Sequence, residues 1–200
     1  MKIDRESCKR ILADVLKEYT DLEDTVVDEM VDFAPLDSFD KGHVLQHQGQ
    51  EPSVATYFIV KGCIRQYICD ENGREITVNF YTENEPINLI TFLDEKGKSL
   101  YSLSCIESCI VAYCEDIEDD GSNDPPEIQA LEQLFFRKQY AQIQRGYADF
   151  KLKSPEERFE FLLEQEAELI ERVPQIYLAS YIGITPESFS RFKKRKQKEG

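Results

Sequence analysis

The chain has 200 residues and a formal net charge of −15, with 41% hydrophobic and 32% charged residues. This length is enough to bury the core of one large domain or two small ones, and the composition excludes a disordered or fibrous protein. The longest apolar runs, such as residues 57–60, are far too short to cross a membrane. Residues 1–10 contain no apolar signal-peptide stretch, so we expect a cytoplasmic protein with no membrane partner.

The six cysteines are predicted to be reduced, buried thiols, because the sequence shows no secretion signal. None of them forms a CxxC pair, and the spacing of Cys105, Cys109 and Cys114 is not that of a zinc ribbon. The sequence therefore predicts no metal and no other cofactor, while a redox-sensing role for the thiols stays open.

Residues 4–33 are predicted to be helical, because apolar residues recur at helical spacing on both sides of an acidic break. From residue 39 to about 113 short β-rich runs alternate with turn signals, which predicts strands at 57–60, 64–68, 76–81, 101–106 and 109–113. Asn72-Gly73 lies between two of these runs and predicts a hairpin with a type I′ turn, in which both central residues need positive φ. Many short strands at regular spacing indicate an antiparallel, jelly-roll-like β-roll.

A long helix is predicted for residues 127–151, after an acidic boundary loop at 115–124 and Pro125-Pro126. Five apolar residues of this helix follow a heptad period: Phe136, Tyr140, Ile143, Tyr147 and Phe150. Because such a seam is typical of a helix that meets a partner helix, we predict that these residues form a homodimer interface. Packing of the seam on the chain's own β-roll is the alternative.

A further helix is predicted to begin after Ser154, which suits the N-cap position and is followed by Pro155 and two glutamates. Its apolar pattern is expected to end at Val173-Pro174.

Residues 174–194 are predicted to form two short helices joined by a tight turn. The expected buried positions of the first helix are Ile176, Leu178, Ala179 and Ile182, and Gly183 suits the left-handed conformation that ends it. Thr185 is expected to cap the second helix, Pro186 to occupy its first position and Phe189 to face the core. The second helix then exposes Glu187, Ser188, Ser190, Arg191 and Lys194. Such a helix suits the major groove of DNA, and an αα-hairpin that only packs is the alternative.

The charge is distributed unevenly along the chain. Residues 1–150 hold 14 basic and 30 acidic side chains, whereas residues 151–200 hold 10 and 9, with six of those bases in 191–198. Since the local field matters more than the total for an element that enters a groove, an acidic body with a basic tail is compatible with DNA binding. A merely solvated tail is the alternative.

In this order, the elements resemble the Crp/Fnr family of bacterial transcription regulators, which join a cyclic-nucleotide-binding-type β-roll to a dimer helix and a C-terminal helix-turn-helix. The resemblance covers nearly the whole chain and rests on glycine-marked stretches at 39–49, 57–62 and 70–75 and on the residues at 178–179, 183–185 and 187–191. It implies an α+β fold with a β-roll at 1–124, a dimerisation helix at 125–152 and a helix-turn-helix domain at 153–200. The family's wing strands follow the second helix, and we expect them to be missing here.

The resemblance also implies roles for single residues. Glu187 matches the glutamate that accepts a hydrogen bond from cytosine, Arg191 the arginine that donates to guanine, and Ser190 a serine that touches a neighbouring base. Phosphate contacts are implied for Gln175 and Lys194, while Thr185 and Ser188 complete the set of DNA-binding residues. Pro186 replaces a base-reading arginine of the Crp branch, so we expect TTGAT-like, inverted half-sites in double-stranded DNA. RNA polymerase is a further partner that the resemblance implies.

The effector site is where the sequence departs from the family. Cyclic-nucleotide binders carry Gly-Glu-x-Gly followed by Arg-Ser/Thr-Ala, but here 88–91 read Asn-Leu-Ile-Thr and 99–101 read Ser-Leu-Tyr. A buried cyclic phosphate would have no partner for its charge, at a cost of roughly several kcal/mol. We therefore expect no response to cAMP or cGMP from a degenerate pocket formed by Asn88, Leu89, Thr91, Ser99 and Leu100. An Fnr-type iron–sulfur cluster is not expected either, because the N-terminal region has Cys8 alone.

The sequence favours neither of two other functions. A cupin-like metalloenzyme would need a His-x-His pair on a strand, whereas His43 and His47 are four residues apart and flank a turn. We therefore expect the protein not to be an enzyme. A β-roll that binds a ligand or a protein partner without binding DNA is the other alternative.

Overall fold

A computed structural model describes residues 4–19, 22–114 and 126–199 of the chain. These residues form an α+β fold with the following helices: α1 (Arg5–Tyr19), α2 (Asp24–Phe33), α3 (Pro126–Leu152), α4 (Pro155–Gln165), α5 (Ala167–Arg172), α6 (Gln175–Tyr181) and α7 (Pro186–Glu199). The strands are β1 (Leu36–Phe39), β2 (Val44–Gln46), β3 (Thr56–Lys61), β4 (Ile64–Cys69), β5 (Glu75–Tyr81), β6 (Pro86–Asn88), β7 (Ser102–Cys105) and β8 (Cys109–Cys114), and a 3-10 helix spans Leu89–Phe92.

The strands form two four-stranded sheets, in the orders β1-β8-β3-β6 and β2-β7-β4-β5. β8 pairs antiparallel with both β1 and β3, and β2 pairs antiparallel with β7. The predicted α+β fold with an antiparallel β-roll is therefore confirmed. None of the described helices is both long and apolar enough to pass through a lipid bilayer.

The chain divides into two compact units, which do not follow the sequence in single blocks. The first unit contains residues 1–66 and 80–140, and the second contains residues 67–79 and 141–200. The tip of the β4–β5 hairpin thus groups with the C-terminal helices. Within the second unit the backbone N–H of Thr77 donates to Oγ of Ser180 at 2.9 Å.

Strand β3 is buried on both faces, which explains its unbroken apolar sequence. Tyr57 and Ile59 belong to the core of the roll, whereas Phe58 and Val60 pack in a second cluster with α1 and α2. Successive residues of a strand point to opposite faces, so a strand covered on both sides must be apolar throughout. Strand β3 therefore contributes to two apolar clusters, one on each of its faces.

Local chemistry explains where the helices and strands before residue 115 differ from prediction. The helix predicted at 4–33 is two helices, since the acidic break separates α1 from α2. Five strands lie where they were predicted, but the three- and four-residue strands β1, β2 and β6 were missed because they are too short to show a period.

The predicted type I′ turn of the β4–β5 hairpin is wrong. Gly73 has a φ of 75°, whereas Asn72 does not have positive φ. Asp70 accepts hydrogen bonds from the backbone N–H groups of Asn72 and Arg74, both at 2.9 Å, with its side chain. This carboxylate stabilises a longer loop in which only Gly73 has the left-handed conformation.

Gly62 is the glycine whose replacement should cost most stability. It has a φ of +108°, and a Cβ there would lie 2.6 Å from Sγ and 2.9 Å from Cα of Cys109. We expect Gly62→Ala to lower the free energy of unfolding by about 3–5 kcal/mol, from backbone strain and overpacking together. Gly42→Ala is the matched control, because Gly42 also has positive φ but nothing lies within 4 Å of the added atom. Urea unfolding measures both, and equal losses would contradict the steric argument.

In the C-terminal helices the predicted N-cap is confirmed, but a predicted helix length is wrong. Ser154 caps α4 in a full capping box with Glu157. The single helix predicted up to residue 172 is wrong, because the backbone leaves the helical conformation at Glu166 (φ −127°, ψ 36°) and restarts as α5.

Candidate nucleic-acid interface and effector region

The turn between α6 and α7 is closed by backbone hydrogen bonds. Gly183 has a φ of +71°, its N–H donates to the carbonyl of Ser180, and the N–H of Ile184 donates to the carbonyl of Ala179 at 2.9 Å. These bonds satisfy carbonyls that the end of α6 would leave unpaired. The turn thus has the tight geometry that the sequence indicated.

A small apolar core supports the two helices. Leu178, Ala179 and Phe189 are fully buried, and the ring of Phe189 lies 5.1 Å from that of Phe159 on α4 in an edge-to-face arrangement. The prediction that Ile176 is buried is wrong, since it is 59% exposed. Ile176 precedes Leu178 by two residues, which on a helix places it on nearly the opposite face.

The first turn of α7 is held by its cap. Oγ1 of Thr185 accepts a hydrogen bond from the backbone N–H of Ser188 at 3.2 Å, and Pro186 is the first residue of the helix. The side chains of Glu187, Arg191 and Lys194 are exposed, and those of Ser188 and Ser190 are half-buried. Gln175 is exposed as the first residue of α6.

Glu187 and Arg191 form an oriented pair on the exposed face of α7. Nη2 of Arg191 donates to Oγ of Ser188 at 2.9 Å, which holds the guanidinium along the helix. Hydrogen bonds from its own backbone N–H and from Thr185, together with the nearby charge of Arg191, lower the pKa of the Glu187 carboxyl. Glu187 is therefore an ionised acceptor that lies one turn before a cationic donor on the same exposed face of the helix.

Two bases of the C-terminal tail are paired with α4. Nη1 of Arg195 lies 3.0 Å from Oε1 of Glu156, and Nζ of Lys196 lies 2.7 Å from Oε1 of Glu160. Sequence analysis placed these bases in the basic tail. It did not predict their acidic partners, which lie more than 30 residues earlier. The charges of these two bases are therefore partly neutralised by α4.

The stretch predicted to form the degenerate effector pocket makes hydrogen bonds within itself. Oδ1 of Asn88 accepts a hydrogen bond from the N–H of Ile90 at 3.0 Å and so caps the 3-10 helix, while Leu89 is 1% exposed. Oγ of the buried Ser99 donates to the carbonyl of Tyr101 at 2.8 Å. Leu100, by contrast, is exposed.

Gln139 of α3 reaches this same element with three hydrogen bonds. Its Oε1 accepts from the N–H of Asn88 at 3.1 Å, and its Nε2 donates to Oγ1 of Thr91 at 2.8 Å and to the carbonyl of Asn88 at 3.3 Å. The side chain is only 4% exposed. Sequence reasoning missed Gln139, because a single glutamine on a long helix carries no motif.

Replacing Gln139 tests how much this contact stabilises the first unit. We expect Gln139→Ala to lower the free energy of unfolding by about 1–3 kcal/mol, because the N–H of Asn88 loses its partner and the hydroxyl of Thr91, which still donates to the carbonyl of Asn88, loses one of its hydrogen bonds. Gln133→Ala, at an exposed position of the same helix, should change it by less than about 0.5 kcal/mol. Thermal or urea unfolding measures both variants. An unchanged free energy of unfolding for Gln139→Ala would show that water replaces the hydrogen bonds of the amide.

The apolar seam of α3 is largely uncovered. Its five residues are between 46% and 64% exposed: Phe136, Tyr140, Ile143, Tyr147 and Phe150. The rings of Phe136 and Tyr140 are parallel to within 4°, with centroids 6.3 Å apart. About half of each side chain is therefore available to a partner surface.

The cysteines and histidines are placed as follows. All six cysteines are reduced thiols, but Cys114 is exposed and Cys69 half-buried, which corrects the prediction that all are buried. The ring of His43 stacks on that of Phe39 at 4.6 Å. Among residues 4–19, 22–114 and 126–199, no three His, Cys, Asp or Glu side chains are grouped so that they could hold a metal ion.

Comparison with known proteins identifies the class of fold. Residues 36–115 match the family model of the cyclic nucleotide-binding domain. The comparison with curated proteins gave no match.

Solved structures extend the likeness beyond this region. The chain is similar to the c-di-GMP responsive global regulator CLP of Xanthomonas campestris, with a TM-score of 0.68 and 15% identity over 89% of this chain and 93% of that one. It is also similar to FixK2 of Bradyrhizobium japonicum, with a TM-score of 0.68 and 19% identity over 84% of this chain and 86% of that one. A third similar structure is that of a CRP/FNR-family transcriptional regulator of Thermus thermophilus, with a TM-score of 0.63 and 16% identity over 83% of this chain and 87% of that one. The chain thus has the fold of these regulators, with a cyclic-nucleotide-binding-type roll at its centre.

Proposed function

We propose that this chain is a Crp/Fnr-type transcription regulator that binds an inverted repeat in double-stranded DNA as a homodimer. The observation that carries the proposal is the exposed face of α7, where an ionised Glu187 and an oriented Arg191 lie one helical turn apart. Helix-turn-helix proteins place such residues in the major groove. The likeness to regulators in fold supports the same conclusion.

We propose that three regions of the chain have separate roles. Residues 1–124 form the roll, 125–152 the dimerisation helix and 153–200 the DNA-binding domain. Pairing of two chains through the exposed seam of α3 places one recognition helix in each of two successive major grooves. Gln175 and Lys194 then contact phosphates, while Glu187, Ser190 and Arg191 reach base edges, with Thr185 and Ser188 supporting them. RNA polymerase is the further partner.

Selection of bound sequences from a random DNA pool tests this function. We expect enrichment of paired, inverted, TTGAT-like half-sites whose centres are about 10 base pairs, or a multiple of that, apart. Enrichment of unpaired sites, or of none, would contradict it. The affinity should fall steeply with salt, since phosphate contacts release counterions.

We further propose that the roll does not respond to cAMP or cGMP. The side chain of Gln139 already hydrogen-bonds both the N–H and the carbonyl of Asn88, and no arginine or glutamate stands at 88–91 or 99–101 to meet the phosphate and ribose. Calorimetric titration of the full chain with either nucleotide is expected to give no heat of binding. Micromolar affinity for either would overturn this part of the proposal.

A further inference from the structure

Arg158 of α4 joins two helix ends within the second unit. Its Nη1 donates to the carbonyl of Lys153 at 2.7 Å and to the carbonyl of Phe150 at 3.1 Å, both at the C-terminal end of α3. Its Nε donates to the carbonyl of Ile182 at 2.8 Å, at the turn between α6 and α7. One guanidinium thus ties the end of α3 to the turn of the candidate DNA-binding element.

These acceptors are groups that helix ends leave unpaired. The last four carbonyls of an α-helix lack an intrahelical partner, and a cation is favoured there by the helix dipole. A guanidinium presents its donors in a fixed planar fork, so it can serve several carbonyls at once. Lysine offers a flexible point charge instead and could not hold the same three carbonyls together.

Packing around the guanidinium fixes the same junction. Cζ of Arg158 lies 4.4 Å from the centre of the Phe150 ring, in cation–π geometry. The same ring also meets Gly183, where a Cβ would come within 2.8 Å of Cε2 of Phe150. The turn therefore sits directly against the end of α3, and both the hydrogen bonds and the ring hold it there.

We propose that Arg158 is a positioning residue for DNA binding, which fixes the direction in which α6 and α7 leave the end of α3. The inference rests on the proposed function, because α3 carries the dimer seam and α7 the base-reading pair. In a dimer, this junction sets the separation of the two recognition helices. Arg158 thereby determines which spacing of half-sites the protein accepts, without touching DNA itself.

The test compares spacing selectivity with affinity for a single half-site. Full-length wild type, Arg158→Ala and Arg158→Lys are titrated with inverted repeats whose spacer is lengthened or shortened by about one or two base pairs, and with one half-site alone. Arg145→Ala is the control, since it removes the same charge from an exposed position of α3 in the same unit. Circular dichroism establishes that each variant is folded, and Arg158→Lys keeps the test usable if the alanine variant unfolds.

For both Arg158 variants we expect the affinity for the inverted repeat with the preferred spacing to fall by about tenfold or more. The affinities for repeats with different spacers should become more similar to one another. The affinity for a single half-site should match that of the control. Equal losses for the half-site and the repeat would show a general structural role and overturn the inference. Unchanged spacing selectivity would overturn it as well.

A second readout needs no DNA. Hydrogen exchange of the full chain should be faster at the amides of Gly183 and Ile184 in the Arg158 variants, while α7 keeps its protection. If wild type selects no DNA at all, the proposed function is wrong. The hydrogen exchange still tests whether Arg158 holds the turn against the end of α3. Unchanged exchange at the turn would then overturn the coupling.

Discussion

Arg191→Ala should lose most of the discrimination between the preferred half-site and a half-site with its guanine replaced. An arginine that donates to the O6 and N7 of guanine contributes about 1–3 kcal/mol of discrimination, which is roughly a fivefold to 150-fold preference. Arg191 is exposed and held by Oγ of Ser188 at 2.9 Å. It can therefore turn to a base edge without leaving a buried partner unpaired. Fluorescence anisotropy with matched and substituted duplexes measures the preference.

Lys194→Ala is the matched control, because Lys194 is exposed one turn later on the same helix. A phosphate contact carries no sequence information, so this variant should weaken binding to all duplexes alike and lower the salt slope by about one. If Arg191→Ala behaved in the same way as Lys194→Ala, Arg191 would be a phosphate contact. The base-reading role of α7 would then be wrong.

We expect the second large effect from a substitution in the proposed dimer interface on α3. Ile143 lies in the middle of the exposed stripe on α3 and is 46% exposed. Ile143→Glu would bury a carboxylate in an apolar interface, where burial of an unpaired charge is strongly unfavourable. We expect the variant to be monomeric in analytical ultracentrifugation at concentrations where wild type is dimeric. Binding to the inverted repeat should fall by about 100-fold or more, because the second half-site no longer adds avidity.

Ala148→Glu provides the control for charge. Ala148 is exposed on α3 but lies about 120° away from the stripe, so the same glutamate there stays in water. This variant should remain dimeric and bind DNA as wild type does. A monomeric Ala148→Glu would place the interface on another face of α3, and a dimeric Ile143→Glu would rule out the seam.

Much of the fold could be predicted from local patterns alone. The unbroken apolar residues 57–60 identified β3, and Ser154 with Pro155 identified the start of α4. Gly183, Thr185 and Phe189 identified the turn and the anchor of α7, since each of these positions has a local physical requirement. The fold class followed because several such signals occurred in a consistent order.

What the sequence did not predict depends on contacts between distant residues. Gln139 meets Asn88 across 51 positions, and Arg158 meets Ile182 across 24. Neither side chain differs in type from many others on a polar helix, so only the folded backbone reveals its partner. The break of the helix at Glu166 was missed for a similar reason, because glutamate favours helix and nothing nearby signals an end.

The amide of Gln139 bears on how such a protein would be controlled in a cell. Its hydrogen bonds hold Asn88 and Thr91 in the absence of any ligand. If cAMP and cGMP do not bind, as proposed, neither nucleotide can shift an equilibrium between two states of the protein, because a shift requires different affinities for the two. Promoter occupancy would then follow the amount of protein made and degraded. Because two chains must associate before they bind, occupancy at low abundance would rise with roughly the square of that amount. Under the proposed function, gene dosage and proteolysis, rather than cAMP or cGMP, would set the response.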